Sequence, residues 1–573
     1  MLKLVRSLLL FSLLLLSLMD ISYSQPLNQK KIFTRQDTLR GSITPERAWW
    51  DVVKYKIFIQ PNFSDKTIKG QIVIIYRVVN NPATKRMQID LQEPMHIDGV
   101  TSNDGPAVHV TKSTGHKETT AHQPPRALTY KRDGNVYYIE DAPQKNKIDS
   151  ILINFSGSPR IASNPPWDGG WIFTKDEKGR PWMTVACQGL GASVWYPCKD
   201  HQSDEPNEGA LIQVKVPSDL VAVANGKLYS EKKQADGTVW SWLVRNPINN
   251  YNIVPYIGKY VTFKDSYVGE NGKLSLDYWV LDYNLDKAKK QFDRNVKPML
   301  KCFEHWFGPY PFYNDGYKLV EAPHLGMEHQ SAVAYGNHYK NGYLGMDLSG
   351  SGWGKKWDYI IIHESGHEWF ANNITTNDIA DMWVHEGFTD YSEVLFVECQ
   401  YGRKAADEYC QGLRKNIDND IPIIGTYGVN QEGSGDMYAK GANILHTIRQ
   451  VINNDSLFRK ILRGLNKEFY HRTIDSKDVE TYMSKQSEKD LSKIFDQYLR
   501  TIKIPVLEYK IKGKTLSFRW SNCVDGFNMP LQIGTGKMFL INPTTQWQEQ
   551  ELPLNYSIED VNKNFYVSLK KVD

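Results

Sequence analysis

The stretch IIHESGHEWF, residues 361–370, holds two histidines four positions apart, with a glutamate directly after the first histidine. On an α-helix, His363 and His367 lie one turn apart and project from the same face. Catalytic zinc sites use three protein ligands and keep one position open, so a third ligand must come from elsewhere. Eighteen residues separate His367 from Glu386 in WVHEGFTDY, which suits a helix, a turn and a second helix that returns past the first. The spacing therefore predicts a metal site formed by His363, His367 and Glu386.

Glu364 follows the first histidine but points about 100° away from it around the helix. This direction favours a base that takes a proton from a metal-activated water over a further metal ligand. The alternative is a chance match in an ordinary buried helix, and the H-E-G-F segment at residues 385–388 argues against it. We therefore predict that Glu364 is the general base.

The composition indicates a folded protein of several domains. Of 573 residues, 41% are hydrophobic and 12% are aromatic, which is too apolar for a disordered chain. The net charge of +4 is small, and no dense cluster of Lys and Arg stands out. The sequence therefore predicts no nucleic-acid partner.

The first 24 residues resemble a signal peptide. Lys3 and Arg6 form a basic lead, residues 8–19 are an apolar run, and residues 22–24 read small-x-small. The run is shorter than the roughly 20 residues that a spanning helix needs. We expect a removed signal peptide at 1–24, an exported protein in the periplasm or outside the cell, and no stable membrane anchor afterwards. An uncleaved N-terminal anchor is the alternative.

The hydrophobic pattern changes twice along the chain, which predicts a multidomain α+β protein. Tyr55, Ile57 and Ile59 alternate with other residues, and similar short segments recur, so an N-terminal antiparallel β-rich domain is expected at 45–263. Helical spacing begins near residue 284 and covers segments 359–371, 385–401, 439–452 and 491–501, which predicts a mainly helical catalytic domain at 264–502. Alternation returns afterwards and predicts a small C-terminal β domain at 503–573.

The six cysteines do not form a C-x-x-C pair, which argues against a thiolate zinc site or a redox dithiol. Export permits disulfides, and pairing of Cys187 with Cys198 or of Cys399 with Cys410 is conceivable from spacing. The sequence alone leaves the pairing open.

From about residue 49 to residue 500, the chain resembles the zinc aminopeptidases related to aminopeptidase N and leukotriene hydrolase, with H-E-x-x-H, eighteen residues and a glutamate as the main signature. The resemblance implies a thermolysin-like catalytic domain, one zinc ion per chain held by His363, His367 and Glu386, and Glu364 as the base. Glu393, seven positions after the third ligand, falls where family members carry a carboxylate that orients a ligand histidine. A solvated charge on the helix is the alternative for Glu393.

Two further segments resemble the family's recognition of a free amine. HLGMEHQ, residues 324–330, is similar to the G-A-M-E-N segment and implies that Glu328 holds the substrate amine. Leu325 stands where the first glycine is usual and His329 where asparagine is usual, so the side-chain preference of the site stays open. ACQGLGASVWYPCKD, residues 186–200, implies Gln188 as a second contact to the amine. The alternative for Glu328 is an ordinary loop glutamate, and the alternative for Gln188 is an ordinary amide on a strand.

DMYAKGANIL, residues 436–445, is similar to the start of a family helix that carries a catalytic tyrosine. The resemblance implies that Tyr438 stabilises the oxyanion, and that Gly441 and Ala442 let the helix approach closely. A buried core tyrosine is the alternative.

Together these residues predict an exported zinc aminopeptidase that cleaves the first peptide bond of peptides with a free N-terminus, using a zinc-activated water. A leukotriene-hydrolase-like epoxide hydrolase would share the zinc core, and a non-catalytic peptide-binding relative would share the fold. A zinc endopeptidase would lack the amine-binding Glu328. The sequence does not fix the oligomeric state.

Overall fold

The structure, a computed structural model, describes residues 32–80, 86–102, 125–143, 148–534, 539–552 and 561–573. The signal peptide expected at 1–24 lies outside these residues. Within the described part of the chain, no helix combines the length and the apolar character that crossing a bilayer requires.

The described residues form ten α-helices: α1 Arg35–Gly41, α2 Pro45–Ala48, α3 Leu285–Phe307, α4 Tyr359–Gly366, α5 Trp383–Tyr401, α6 Arg403–Leu413, α7 Ala439–Ile452, α8 Asp455–Glu468, α9 Ser476–Ser487 and α10 Ser492–Arg500. The strands of the N-terminal region are β1 Trp50–Asn62, β2 Thr67–Val78, β3 Met87–Asp90, β4 His96–Ser102, β5 Ala127–Leu128, β6 Tyr130–Asp133, β7 Val136–Ile139, β8 Ile148–Gly157, β9 Gly170–Lys175, β10 Pro181–Ala186, β11 Ala210–Val216, β12 Val221–Ala224, β13 Lys227–Gln234, β14 Gly237–Val244 and β15 Pro255–Gly258. The later strands are β16 Tyr260–Gly269, β17 Gly272–Leu281, β18 Tyr317–Glu321, β19 Gly326–Met327, β20 Val333–Tyr335, β21 Ile374–Thr376, β22 Arg472–Ile474, β23 Val506–Lys512, β24 Thr515–Ser521, β25 Leu531–Ile533, β26 Phe539–Ile541, β27 Gln548–Glu551 and β28 Ser568–Lys571.

The N-terminal region is β-rich, as predicted. An eight-stranded sheet runs β13-β14-β11-β1-β2-β8-β4-β5, beside sheets β12-β15-β10-β9 and β3-β7-β6. Tyr55, Ile57 and Ile59 of β1 are fully buried, because alternate side chains of a strand share one face. The pairing is mainly antiparallel, and β1 pairs with β11 in parallel.

A five-stranded sheet, β16-β17-β18-β20-β19, joins the N-terminal region to the helices. Leu319 and Val333 belong to the core under the helices, whereas Val320 and Ala334 belong to the core of the N-terminal region. Each face of the sheet therefore packs on a different part of the chain. The helical pattern after residue 284 did not predict the strands β18, β19 and β20 of this sheet. The domain boundary expected between residues 263 and 264 falls inside β16.

The middle of the chain is mainly helical. Residues 439–452 form α7 as predicted, whereas the helix expected over 359–371 ends at Gly366. His367 keeps right-handed helical dihedrals, with φ −62° and ψ −18°, so its ring still projects beside that of His363. Beyond it, Ala371 has a φ of 140°, and the chain turns into β21.

The C-terminal region forms the sheet β27-β24-β23-β28 and the hairpin β25-β26. Its buried residues Leu507 and Phe518 share one continuous core with the helices of the middle region. A disulfide joins Cys302 of α3 to Cys399 of α5, a pairing that spacing did not suggest, whereas Cys187, Cys198 and Cys410 are free and buried.

Candidate metal centre and substrate cleft

The two helices that carry the predicted metal ligands pack closely. A Cβ on Gly366 of α4 would lie 2.5 Å from Oγ of Ser392 on α5, so only glycine allows this approach. The contact brings His363, His367 and Glu386 together, with one donor atom from each within 4.8 Å of the others. All three side chains are buried.

Hydrogen bonds fix the orientation of the first histidine. Nδ1 of His363 lies 2.6 Å from Oε1 of Glu393, and Oε2 of Glu393 accepts a hydrogen bond of 2.6 Å from the hydroxyl of Tyr409. Because a carboxylate accepts, Nδ1 of His363 carries the proton, and the lone pair of Nε2 faces the cluster. The contact with Glu393 therefore orients the ring of His363.

The second histidine is held by different groups. Nδ1 of His367 lies 3.1 Å from the carbonyl oxygen of Phe370 and 3.1 Å from Oγ1 of Thr389. The carbonyl can only accept, so Nδ1 of His367 is the donor and Nε2 is left as an acceptor. Both imidazoles therefore present unprotonated nitrogens to the same point.

Glu386 completes a set of donor atoms that fits a cation. Its Oε2 lies 3.3 Å from Nε2 of His367 and 3.7 Å from Nε2 of His363. No described residue donates a hydrogen bond to this buried oxygen. Burial by itself would raise the pKa of Glu386, but the neighbouring His367 and His363 outweigh this effect and lower that pKa. Two imidazole nitrogens and a carboxylate oxygen form the ligand set of a catalytic zinc site.

Glu364 lies beside this cluster. Its side chain is only 8% exposed, and one of its oxygens lies within 4.8 Å of donor atoms of His367 and Glu328. A Cβ on Gly326 would lie 2.7 Å from Oε1 of Glu364, so the strand β19 passes directly over this carboxyl. Burial raises the pKa of Glu364 to about 7, although the nearby histidines oppose the shift. A carboxyl group with this pKa can both accept and return a proton near neutral pH.

Glu328 is held by residues of the N-terminal region. Its Oε1 accepts hydrogen bonds from Nε2 of Gln188 at 2.6 Å and from the hydroxyl of Tyr251 at 2.8 Å. Its own backbone carbonyl accepts from Nδ2 of Asn372 at 2.9 Å. Burial raises the pKa of Glu328. The structure thus brings the two predicted amine-binding residues into direct contact at the edge of the metal cluster.

Tyr438 immediately precedes α7 and lines the same cleft. Its ring stacks on His363 with centroids 6.1 Å apart, and burial followed by the charge of Glu386 raises the pKa of Tyr438. A Cβ on Gly441 would lie 2.7 Å from Cα of Gly387, the residue after Glu386. This contact between two glycines lets α7 approach α5 and sets Tyr438 beside the metal donors.

The two departures from the family pattern lie in different surroundings. Leu325 lines the cleft immediately before the edge strand β19. His329 does not line the cleft, and its Nδ1 lies 2.5 Å from the hydroxyl of Tyr256 in the buried interior. Of these two residues, only Leu325 therefore lines the cleft. Asp200, the last residue of the segment that carries Gln188, accepts hydrogen bonds from the backbone and hydroxyl of Ser193 and is buried.

Sequence reasoning missed several residues of the cleft. Tyr251, Thr389 and Tyr409 hold predicted residues in place, and Tyr343 and Tyr359 line the cleft. Helical spacing could have indicated Tyr359, one turn before His363, and Thr389, three positions after Glu386. Tyr251 lies in a three-residue 3-10 helix and Tyr343 in a loop, and neither carries a local signal.

Comparison with known proteins identifies the family. Residues 292–498 match the Peptidase family M1 domain, and this range holds the three metal-donor residues together with Glu364 and Tyr438. The fold and the donor set resemble those of zinc metallopeptidases. Residues 292–498 contain a domain of peptidase family M1.

Named relatives agree with this assignment. Aminopeptidase N of Lactococcus lactis subsp. lactis is 25% identical over 495 residues, which cover 81% of this chain and 52% of that protein. Aminopeptidase Ey of Gallus gallus is 28% identical over 234 residues, which cover 39% of this chain and 23% of that protein. The chain spans about half or less of the length of these relatives.

A solved M1 zinc metallopeptidase from Deinococcus radiodurans has the same fold, with a TM-score of 0.63, 17% identity, and coverage of 81% of this chain and 96% of that one. A mutant of that organism's M1 zinc metallopeptidase, solved with a Tyr-Ser-Ala substrate, has a TM-score of 0.62 with 17% identity and covers 80% of this chain and 96% of its own. The predicted family is confirmed, and with it the predicted zinc cofactor.

Proposed function

We propose that this protein is a zinc aminopeptidase that hydrolyses the first peptide bond of peptides with a free N-terminus. One observation carries the proposal: an oxygen of Glu328 and an oxygen of Glu364 lie within 4.8 Å of each other and of a donor nitrogen of His367. An acceptor-only carboxylate recognises a substrate ammonium. The carboxylate of Glu328 is separated from the base Glu364 by about the length of one residue. A substrate whose amine binds Glu328 therefore presents its first peptide bond to Glu364.

Each residue of the cleft has a defined task. Bound zinc would be held by the two histidines and Glu386, and would supply polarisation of the carbonyl and activation of water. Glu364 accepts the proton of the attacking water and returns it to the leaving amine. Tyr438 directs its hydroxyl to the carbonyl oxygen, where one such donor lowers the barrier by about 3 kcal/mol.

The sheet edge supplies a place for the peptide backbone. β19 is the last strand of its sheet and pairs with β20 on one side only. An extended peptide can add to such an edge through main-chain hydrogen bonds. Gly326 keeps the strand close to Glu364, so a peptide on this edge passes over the base.

The alternatives gain no support from these contacts. An epoxide hydrolase would use the same zinc donors, but the bonds that hold Glu328 serve recognition of an amine. A non-catalytic binding protein has no need of a buried carboxyl with a pKa of about 7 beside the metal donors. The aminopeptidase is the function that uses all of these groups.

We also propose the domain division given above, with a thermolysin-like catalytic domain between the two β regions, and export of the protein after removal of residues 1–24. The disulfide between Cys302 and Cys399 supports export, because such bonds persist in oxidising compartments. Cell fractionation with N-terminal sequencing of the mature chain tests it. Retention of residues 1–24 in a cytoplasmic fraction would contradict it.

Two substitutions test the activity on alanine p-nitroanilide. Glu364→Gln should keep stoichiometric zinc and lower kcat by about 10²- to 10⁴-fold, because the base is lost. Glu328→Ala should weaken cleavage of the free-amine substrate and leave the slow cleavage of its N-acetyl form unchanged. Glu231→Gln, at an exposed glutamate of β13, is the matched control.

The outcome against the proposal is equally definite. A wild-type protein that holds zinc but releases no amino acid from any free-amine substrate would refute the aminopeptidase function. Full activity of Glu364→Gln would refute the role of the base. Activity that survives exhaustive treatment with a chelator would refute the metal site.

A further inference from the structure

The contacts of the cleft give it a direction. At one end, Glu328 lies beside His367 and Glu364. Two residues earlier in the chain, Gly326 lies against Glu364 and Ile360. A Cβ on Gly326 would lie 2.7 Å from Oε1 of Glu364 and 2.8 Å from Cγ2 of Ile360. The strand segment and α4 therefore run side by side in the same sense. The cleft leads from the amine-binding end, past the base, to the first turn of α4.

The far end of this path is apolar. Leu325, Tyr343 and Tyr359 line it, and the rings of the two tyrosines meet edge to face with centroids 5.3 Å apart. All three pack against the core of the catalytic region. All the charged residues that line the cleft are the metal donors, Glu364 and Glu328, so the far end presents only uncharged groups.

Tyr343 is fixed relative to α4. Its backbone N–H donates to the carbonyl of Met346 at 3.0 Å, which closes a tight turn. The preceding Gly342 donates to the carbonyl of Trp357 at 2.6 Å and forms a bridge with Asp358, the residue before α4. The ring therefore forms a fixed wall of the cleft.

We infer that Leu325 and Tyr343 form a pocket for the second residue of the substrate, and that the enzyme favours peptides whose second side chain is large and apolar. This inference rests on the proposed aminopeptidase function, which places the amine at Glu328 and the cut bond at Glu364. The residue after that bond then lies beside Leu325 and Tyr343. An apolar side chain gains favourable free energy when it is transferred from water into this pocket. A charged side chain loses its hydration there and gains no partner. Leu325 stands where the family usually has glycine, so this wall is a property of this chain.

The test uses tripeptides Ala-Xaa-Gly, with Xaa as Gly, Leu, Phe, Asp or Lys, and measures the release of alanine. For the wild type, kcat/KM should be about tenfold higher for Phe and Leu than for Gly, and lowest for Asp and Lys. Leu325→Ala and Tyr343→Ala should each reduce the ratio of Phe to Gly about two- to threefold. Tyr343→Phe keeps the ring and should keep the ratio.

A second series separates selectivity from damage. Peptides Xaa-Gly-Gly vary only the first residue, and their order of kcat/KM should stay the same in Leu325→Ala and Tyr343→Ala. Tyr229→Ala, at an exposed tyrosine of β13, is the matched control and should change neither series.

Different failures have different meanings. Release of alanine from all tripeptides at rates within twofold of each other would overturn the inference and leave the aminopeptidase function in place. Unchanged ratios in both alanine variants would do the same. Release of alanine from none of the peptides would overturn the proposed function and this inference together.

Discussion

Oε1 of Glu393 lies 2.6 Å from Nδ1 of His363, and this contact joins a carboxylate of α5 to a metal-donor histidine of α4. Removal of the negative charge should make the imidazole a weaker ligand and loosen its orientation. We expect Glu393→Gln to lower the affinity for zinc about 10- to 100-fold. Competition with a chromogenic chelator measures this change. Glu408→Gln, at an exposed glutamate of α6, should leave the affinity unchanged, and an equal affinity in both variants would contradict the role of Glu393.

The contact between Gly441 and Gly387 predicts a steric effect. A Cβ on Gly441 would lie 2.7 Å from Cα of Gly387, and backbone on both sides leaves no flexible group that could yield. Gly441→Ala should therefore lower the free energy of unfolding by about 1–3 kcal/mol and reduce kcat, because α7 carries Tyr438. Urea denaturation and kinetics measure the two effects. Gly99→Ala, where a Cβ meets nothing within 4 Å, is the control, and equal stabilities of the two variants would count against this packing.

Tyr438 provides a test of transition-state stabilisation. Tyr438→Phe keeps the ring that stacks on His363 and removes only the hydroxyl. We expect kcat to fall about 10²- to 10³-fold with little change in KM, because the lost hydrogen bond forms mainly in the transition state. Steady-state kinetics on alanine p-nitroanilide give both constants. A variant that changes only KM would assign the hydroxyl to substrate binding instead.

The carboxyl of Glu205 predicts a dependence of stability on pH. It accepts a hydrogen bond of 2.7 Å from Oγ1 of Thr375, and burial raises the pKa of Glu205 from 4.5 to about 7. Between these two pH values the folded protein keeps a proton that the unfolded chain has lost, so the free energy of unfolding falls as the pH rises. Glu205→Gln removes this loss. As the pH rises from 4.5 to 7, the free energy of unfolding of Glu205→Gln should increase by about 1–3 kcal/mol relative to that of the wild type.

Urea denaturation at several pH values measures the difference between the Glu205→Gln variant and the wild type. Glu208→Gln, at an exposed glutamate of the same loop, is the matched control. A difference for Glu205→Gln that does not change across this pH range would show that the carboxyl has an ordinary pKa.

Much of the candidate site could be predicted from the sequence, because its residues lie on helices. A spacing of four places His363 and His367 on one face, and Glu386 and Glu393 follow each other at helical intervals on α5. Local periodicity therefore carries this information. To predict the pair of helices that carries the metal donors, only one further assumption was needed, namely that the chain turns between α4 and α5.

Contacts between distant parts of the chain were not predictable in this way. Tyr251 reaches Glu328 across 77 positions, and the disulfide joins cysteines 97 positions apart. The strands β18, β19 and β20 are short and buried, so no alternation marks them in the sequence. What fixes these parts is packing between regions, which periodicity does not encode.

The bond between Gln188 and Glu328 has a consequence for how a peptide enters. Oε1 of Glu328 already receives two donors, Gln188 and Tyr251, both from the N-terminal region. A carboxylate has two oxygens and about four lone pairs, so an arriving ammonium group can bind Glu328 while Gln188 and Tyr251 keep holding it. We expect a blocked N-terminus, which brings no charge, to gain less from this carboxylate. The N-terminal region thus keeps in place the group that we propose receives the substrate amine.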